Sequence, residues 1–467
     1  MSTQEIPAIF LERSPLLNVE SYRTLISLLH DTDAPLWNQS LGDRIQHSDL
    51  HAAETFRNKM RSQSSGITVP SLDMCSQLIE LKHRCWSIED RLFGVNSTDT
   101  LQRHWSTIKT VSREDLATRY VQFVPHDIEF DRALVYDTSG TTGHPLELFH
   151  HPSALAQNHI FAEAVFQALG IEPGWSSKNM GCMNICAQED TFVFCNTYSV
   201  WSGSAFAKIN LNDKDWPTGR EGARRFSKRW NPILVTSDPI SLSQAIEWKL
   251  PIHPKLILST AVQLSEEFRQ TLEAHFSCPV INWYSATEVG PIACSLPQHD
   301  GMMVLAPDLF VEVVDTNGCS LEDGETGEIC VTGGRNPYLP LLRYRTGDYG
   351  YLSVQQDYSG VWRRCIHSLM GRALVYFIGA NANKINSVDL DRLIRGCGVF
   401  IQHQVVQDAS GRLTVRLRPA EGCPNDLPLL EGRLQELFGQ GIDINCKIEP
   451  SLGDTGKFKP YVCLIED

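Results

Sequence analysis

Two hydrophobic periods divide this chain. Over residues 1 to about 130 the apolar positions recur at helical spacing, as in Ser21–Leu29, Leu72–Leu81 and Asp115–Tyr120, with polar breaks between them. From Leu134 the texture changes to short apolar runs, each closed by Gly, Pro or Asn and followed by a helical pattern. Ile233-Leu234-Val235-Thr236 stops at Ser237-Asp238-Pro239 and leads into Leu242–Trp248. Leu256-Ile257-Leu258 stops at Ser259-Thr260 and leads into Ser265–Phe276, and Val280-Ile281-Asn282-Trp283-Tyr284 follows. Strand, turn, helix, strand is the grammar of a parallel sheet with helices packed on it, in which ligands bind beyond the carboxyl ends of the strands. Residues 304–352 instead alternate apolar and polar, as in Phe310–Val314 and Glu328–Thr332, and break at Asn317-Gly318 and Asp323-Gly324, which predicts antiparallel hairpins. From Gly371 onward the pattern predicts about three strands and two helices, the helices at Ser387–Arg395 and Leu427–Phe438.

The expected fold is therefore α/β. A large N-terminal domain over residues 1–370 has mixed, largely parallel sheets with packed helices, a mainly helical lead-in at 1–130 and a β-rich subdomain at 304–370. A small α+β domain follows at 371–467. A chain of 467 residues is too long for one ordinary core, which agrees with this division.

Charge narrows the partners. With 41 Lys and Arg against 55 Asp and Glu the formal net charge is −14, a surface that repels nucleic-acid phosphate and anionic membrane. Neither is an expected partner. A small anion is still compatible, because loop amides, a few cations and a metal ion make a local positive site. The N-terminus lacks a basic region followed by an apolar run, and no apolar stretch approaches the roughly 18 residues of a membrane span. The 14 cysteines are dispersed, as buried thiols and not a disulfide framework. The expected location is the cytoplasm.

The candidate chemistry begins where Leu134-Val135-Tyr136-Asp137 reads as a strand running into Thr138-Ser139-Gly140-Thr141-Thr142-Gly143-His144-Pro145. Gly140 and Gly143 let the backbone approach a ligand closely, and the amides with the hydroxyls of Ser139, Thr141 and Thr142 make a donor-rich loop suited to oxyanions. No GxxxxGK[ST] P-loop occurs in the chain. This tract resembles the phosphate-binding loop of the adenylate-forming enzymes (acyl-CoA synthetases, peptide-synthetase adenylation domains and luciferases). Other segments resemble that superfamily's markers in its order: Asn282-Trp283-Tyr284-Ser285-Ala286-Thr287-Glu288, Gly324-Glu325-Thr326-Gly327-Glu328-Ile329, Tyr344-Arg345-Thr346-Gly347-Asp348, the hinge-like Gly371-Arg372 and Thr455-Gly456-Lys457. Within the superfamily the chain is most similar to phenylacetate–CoA ligase-like enzymes, through Ile108–Leu116, the Pro145-Leu146 ending of the loop and the block Pro340–Asp348.

The resemblance implies ATP-dependent activation of a small carboxylic acid as acyl-adenylate, then transfer of the acyl group to a thiol, with CoA the leading acceptor. It implies Glu288 as the Mg²⁺ ligand, Thr287 as donor to the α-phosphate, Tyr284 against adenine and Asp348 on the ribose hydroxyls. Ser259-Thr260-Ala261 joins these nucleotide-side positions. Arg372 reaches the ribose or phosphate, and Lys457 bridges carboxylate and phosphate, delivered by closure of a mobile C-terminal domain. The acid is expected near Met183–Trp201 and Ser259–Thr260, with Phe192, Phe194, Tyr198 and Trp201 as an aromatic-lined pocket, the alternative being that they are core. The phenylacetate–CoA ligase resemblance implies an aromatic acid as substrate. Two positions depart from the pattern: Ser285 stands where the superfamily usually has Gly, and Leu374 where its pivot is commonly Asp or Lys. The second leaves a carrier-protein thiol or an amine as alternative acceptors, and a non-catalytic nucleotide-binding relative as a further alternative. Cys294, His299, Cys365 and His367 flank the hairpin region as a candidate structural Zn²⁺ set, the alternative being isolated buried thiols. The oligomeric state is open, a homodimer among the options.

Overall fold

Alternation along the central strands decides the architecture. In the computed structural model, which describes residues 6–63, 66–137, 147–188, 190–261, 264–297, 299–370, 375–380, 383–387, 390, 393–394, 396–398, 400–419, 425–450, 452 and 460–465, one twelve-stranded sheet spans most of the chain. The first strands in sequence, β1 (Leu134–Asp137) and β2 (Glu147–His150), form a separate antiparallel pair. Then come β3 (Met180–Cys186), β4 (Phe194–Tyr198), β5 (Ser204–Asn210), β6 (Pro232–Ser237), β7 (Leu256–Ser259) and β8 (Val280–Ala286). They are followed by β9 (Gly290–Ser295), β10 (Met302–Met303), β11 (Leu309–Val314), β12 (Gly327–Gly333), β13 (Leu341–Gln356) and β14 (Trp362–Met370). The order across the sheet is β11-β12-β13-β14-β10-β9-β8-β7-β6-β3-β5-β4.

Strands β5, β3, β6, β7 and β8 run parallel, and the rest pair antiparallel on either side. In the parallel part, Leu234, Leu256, Leu258, Ile281 and Trp283 pack into one core, while Val235, Ile257 and Val280 pack into a second. That is the period-two separation that a strand buried on both faces imposes. The helices between strands start where the sequence signals them. Asp238 accepts the amides of Ile240 and Ser241 with Pro239 in the first turn, and Ser265 accepts the amide of Phe268.

The alternating stretch 304–370 forms hairpins, as expected, but it continues the same sheet through β14, β10 and β9 to β8. Helices dominate residues 8–123, and Met74, Leu78, Ile88, Leu101 and Trp105 pack with Phe310 and Leu342 as a separate cluster.

Beyond Val375 the chain has its own sheets: the hairpin β15 (Tyr376–Ile378) and β16 (Lys384–Asn386), and the four strands β17 (Phe400–Gln407), β18 (Leu413–Pro419), β19 (Ile444–Ile448) and β20 (Tyr461–Cys463) in the order β19-β18-β17-β20. These are more strands than the three expected, because β15, β16 and β20 are only three residues long and too short to show a period. The helix Leu427–Phe438 buries Leu430, Leu434 and Phe438 against them. The expected helix at 387–395 lies largely outside the described residues, as does the boundary at 371–374. Arg418 approaches Glu247 of the large unit at 3.7 Å.

Candidate active site

Segment 108–113 is pinned to β13 by one isolated parallel bridge: the amide of Val111 donates to the carbonyl of Arg343 at 2.9 Å, and the amide of Arg345 donates to the carbonyl of Val111 at 2.8 Å. This register is held by a buried ion pair, Arg343 with Glu312 at 2.9 Å, whose guanidinium also donates to the carbonyls of Ile108 and Gly318. At Ser112 the chain turns into a helix through a capping box with Asp115. Arg113, in its first turn, is thereby brought to the Glu288 carboxylate, with which it forms an ion pair. Glu288 is 6% exposed, and burial, with this carboxylate beside it, pushes the Tyr344 phenol well above its ordinary value.

The Arg345–Asp348 corner is built by Glu328, which pairs with Arg345 at 2.7 Å and accepts the amide of Gly347 at 3.0 Å. Gly347 has φ +85°, a conformation that costs glycine nothing and lets the chain turn so that Thr346 Oγ1 accepts the amide of Asp348 at 3.1 Å. Tyr284 donates its hydroxyl to Asp348 Oδ2 at 2.7 Å, and burial beside that carboxylate raises the Tyr284 phenol well above its usual range. A ligand that engages Asp348 therefore meets a carboxylate already oriented from behind.

Between these groups lies a cavity of about 980 Å³ along and beyond the carboxyl ends of the parallel strands. One end is polar, with Thr260, Thr287, Glu288, Arg345 and Asp348 in its wall. The other end is apolar and aromatic, with Ala162, Cys182, Tyr198, Trp201, Phe206, Leu234, Leu258 and Trp283. Helix Pro152–Ala168 covers this second end, and Gly290 permits its approach: a Cβ there would stand 2.8 Å from Asn158 Oδ1. Two histidines line the wall. Burial lowers His150 to about 4 and His159 to about 3, so both are neutral near pH 7.

Of the positions expected from the sequence, Thr260, Ala261, Trp283, Ser285, Thr287, Glu288, Asp348, Tyr198 and Trp201 all line this one cavity. Ser259, Asn282 and Tyr284 do not. Ser259 is fully buried, Asn282 offers its backbone amide to Ser295 at 2.9 Å, and Tyr284 serves Asp348. Phe194 packs 5.5 Å from Phe206, whereas Phe192 is half exposed outside the pocket, because its neighbour Val193 takes the inward position and successive residues of an extended chain face opposite ways. Thr138, Ser139, Gly140, Thr141, Thr142, Gly143, Arg372, Leu374 and Lys457 lie outside the described residues.

The metal set expected from Cys294, His299, Cys365 and His367 is not assembled. Among the described residues no group of three or more His, Cys, Asp or Glu side chains is arranged to hold a metal. Met303 pairs with Cys294 on one side and Cys365 on the other, so a whole strand separates the two thiols. His367 is engaged by Ser353 at 2.8 Å and stacks on Tyr351. Burial raises Cys365 to about 11, a thiol kept protonated.

Comparison with known proteins agrees with this geometry. Residues 177–336 match the family model for AMP-binding enzymes. Protein CapK of Staphylococcus aureus is 25% identical over 160 residues, 34% of this chain and 33% of that protein. Probable CoA ligase CCL9 of Humulus lupulus is 25% identical over 244 residues, 48% of this chain and 39% of that protein. The chain thus spans between a third and two fifths of the length of these curated relatives. In fold it is similar to 2-hydroxyisobutyryl-CoA ligase in its postadenylation state with R3-HIB-AMP, at a TM-score of 0.57, 14% identity and 89% coverage of both chains. Residues 177–336 are thus similar to AMP-binding enzymes, and the fold of the chain is similar to that of an acyl-CoA ligase.

Arg113, Glu328 and the two histidines are cavity residues that sequence reasoning missed. The signal for Glu328 was present, since it stands in the Gly324–Ile329 turn.

Proposed function

We propose that this chain is an ATP-dependent, AMP-forming carboxylate ligase. It joins a carboxylic acid to AMP with release of pyrophosphate, then passes the acyl group to a thiol, CoA in the first instance. The observation that carries this reading is the continuity of one cavity, polar at Thr287, Glu288 and Asp348 and apolar at Tyr198, Trp201 and Phe206. A nucleotide and an acid in one such space meet end to end, and holding two anions in that geometry is most of the catalysis. The aromatic wall favours an aromatic acid.

In this reading Asp348 accepts from the ribose hydroxyls, Thr287 donates to the α-phosphate, and Thr138–Gly143 holds the remaining phosphates. Glu288 would be the protein ligand of Mg²⁺, since one carboxylate with substrate phosphates is a donor set that this ion takes readily, and the ion would supply charge neutralisation at the phosphate. Arg113, paired with Glu288 here, would have to yield that carboxylate. Residues 371–467 act as the mobile part that brings Lys457 to residues 1–370. A carrier-protein thiol or an amine is the alternative acceptor, favoured by the apolar residue at Leu374.

Exchange of labelled pyrophosphate into ATP across aryl and alkyl acids tests the first half-reaction. Exchange with an aromatic acid is expected, and silence with every acid overturns the ligase reading. Adding CoA to the preformed adenylate then gives the thioester; persistence of the adenylate with CoA, and its discharge by an amine, would shift the acceptor.

A further inference from the structure

The apolar end of the cavity contains an imidazole that nothing in the fold uses. His159, on the covering helix Pro152–Ala168, is 7% exposed and packs between Tyr198, at 4.1 Å between ring centroids, and Trp201, at 4.7 Å. Its Nδ1 is sealed and has no hydrogen-bond partner among the described residues. Nε2 is not sealed in this way, so it is the ring nitrogen that an occupant of the cavity can reach. Of the polar side chains nearby, the Asn184 amide is engaged, donating to Thr236 Oγ1 at 2.9 Å and to the Thr236 carbonyl at 3.2 Å. The Trp201 indole Nε1 is sealed and has no partner among the described residues, which leaves the imidazole as the group that can both be reached and either donate or accept. A buried imidazole with no structural hydrogen bond is costly to keep, and an apolar ring would pack here as well. The group makes physical sense when a ligand completes it.

We propose that His159 selects the acyl group, by hydrogen-bonding a hydroxyl carried on the planar body of an aromatic acid. A hydroxyl suits either tautomer, since it both donates and accepts. The rings of Tyr198 and Trp201 set the plane of the acid, and His159 reads the substituent. This inference rests on the ligase reading of the same cavity.

The test is pyrophosphate exchange with benzoic, phenylacetic and cinnamic acids and their ring-hydroxylated counterparts, on wild type, His159→Phe and His159→Gln. In wild type the preferred hydroxylated acid should exceed its unsubstituted partner by about tenfold or more in kcat/KM. His159→Phe should erase that ratio by slowing the hydroxylated acid while exchange with the unsubstituted one persists, and His159→Gln, which keeps a hydrogen-bonding group, should retain part of it. A wild-type ratio near one overturns the inference, and so does a ratio that His159→Phe leaves intact. If His159→Phe does not fold, an undiminished ratio in His159→Gln with a smaller His159→Ala control preserving it overturns the inference equally. No exchange with any acid, by contrast, removes the ligase reading beneath it.

Discussion

Asp348 and Tyr284 show how little of a binding residue's behaviour is its own. The carboxylate faces the cavity, but one oxygen is held by the Tyr284 hydroxyl at 2.7 Å and its backbone amide by Thr346. A hydrogen bond to a charged carboxylate contributes about 1.5–3 kcal/mol, of which nucleotide binding draws only the part that orients Asp348. Tyr284→Phe keeps the ring and loses only the tether, so KM for ATP should rise by about three- to tenfold with kcat nearly constant, measured in the exchange assay. An unchanged KM would mean that Asp348 needs no orienting partner. At this scale the sequence was readable where a residue stands in a short segment with a recognisable local pattern, as Thr287, Glu288 and Asp348 do, and these three line one cavity. It was silent on Arg113, whose approach to Glu288 depends on Val111 pairing with the distant Tyr344. A lone histidine in a helical pattern, such as His159, likewise looks like any other position until the fold supplies the rings around it.

Among the elements, the join between segment 108–113 and β13 carries the largest single liability. Arg343 is fully buried, donates to Glu312, Ile108, Gly318 and Ser320, and lies next to the strand residues that lead into the Asp348 corner. Removing one partner of a buried pair leaves an uncompensated charge, a loss of about 3–5 kcal/mol. Arg343→Met should therefore lower the urea midpoint strongly, and Arg343→Met with Glu312→Gln should recover part of it. Equal losses in the single and double variants would show that the packing, not the charge, matters here. The parallel strands β6, β7 and β8 were legible because Asp238-Pro239 and Ser265 punctuate them and their apolar runs are long enough to show a period. The Zn²⁺ expectation failed for a complementary reason. Cys294 with His299 and Cys365 with His367 are two short pairs flanking the hairpins, but the pairing of Met303 between the two cysteines is a fact of sheet order that no local pattern contains.

For the whole molecule, the described contact between the large unit and the C-terminal sheets includes only modest electrostatics, Arg418 to Glu247 at 3.7 Å. With Glu247 largely in solvent, a pair at that distance contributes about 0–1 kcal/mol, a small term against rotation of one unit relative to the other. In the proposed reaction such rotation delivers Lys457. Lys457→Ala should lower pyrophosphate exchange by about 100-fold or more while ATP still binds by calorimetry, because the lysine acts on the reacting groups and not on the nucleotide at rest. Loss of ATP binding in that variant would reassign the residue. The same large unit places Trp175 and Trp201 face to face, with ring centroids 4.5 Å apart and planes 3° from parallel. Trp175 lines a second, smaller cavity of about 400 Å³ on the far side of helix Pro152–Ala168, while Trp201 stands in the wall of the first. Two parallel indoles at this separation couple their electronic transitions, and the coupling depends steeply on tilt and distance. The chain thus contains its own optical gauge: under the proposed function, an acid that settles against Trp201 should alter the circular dichroism of the pair with no added dye.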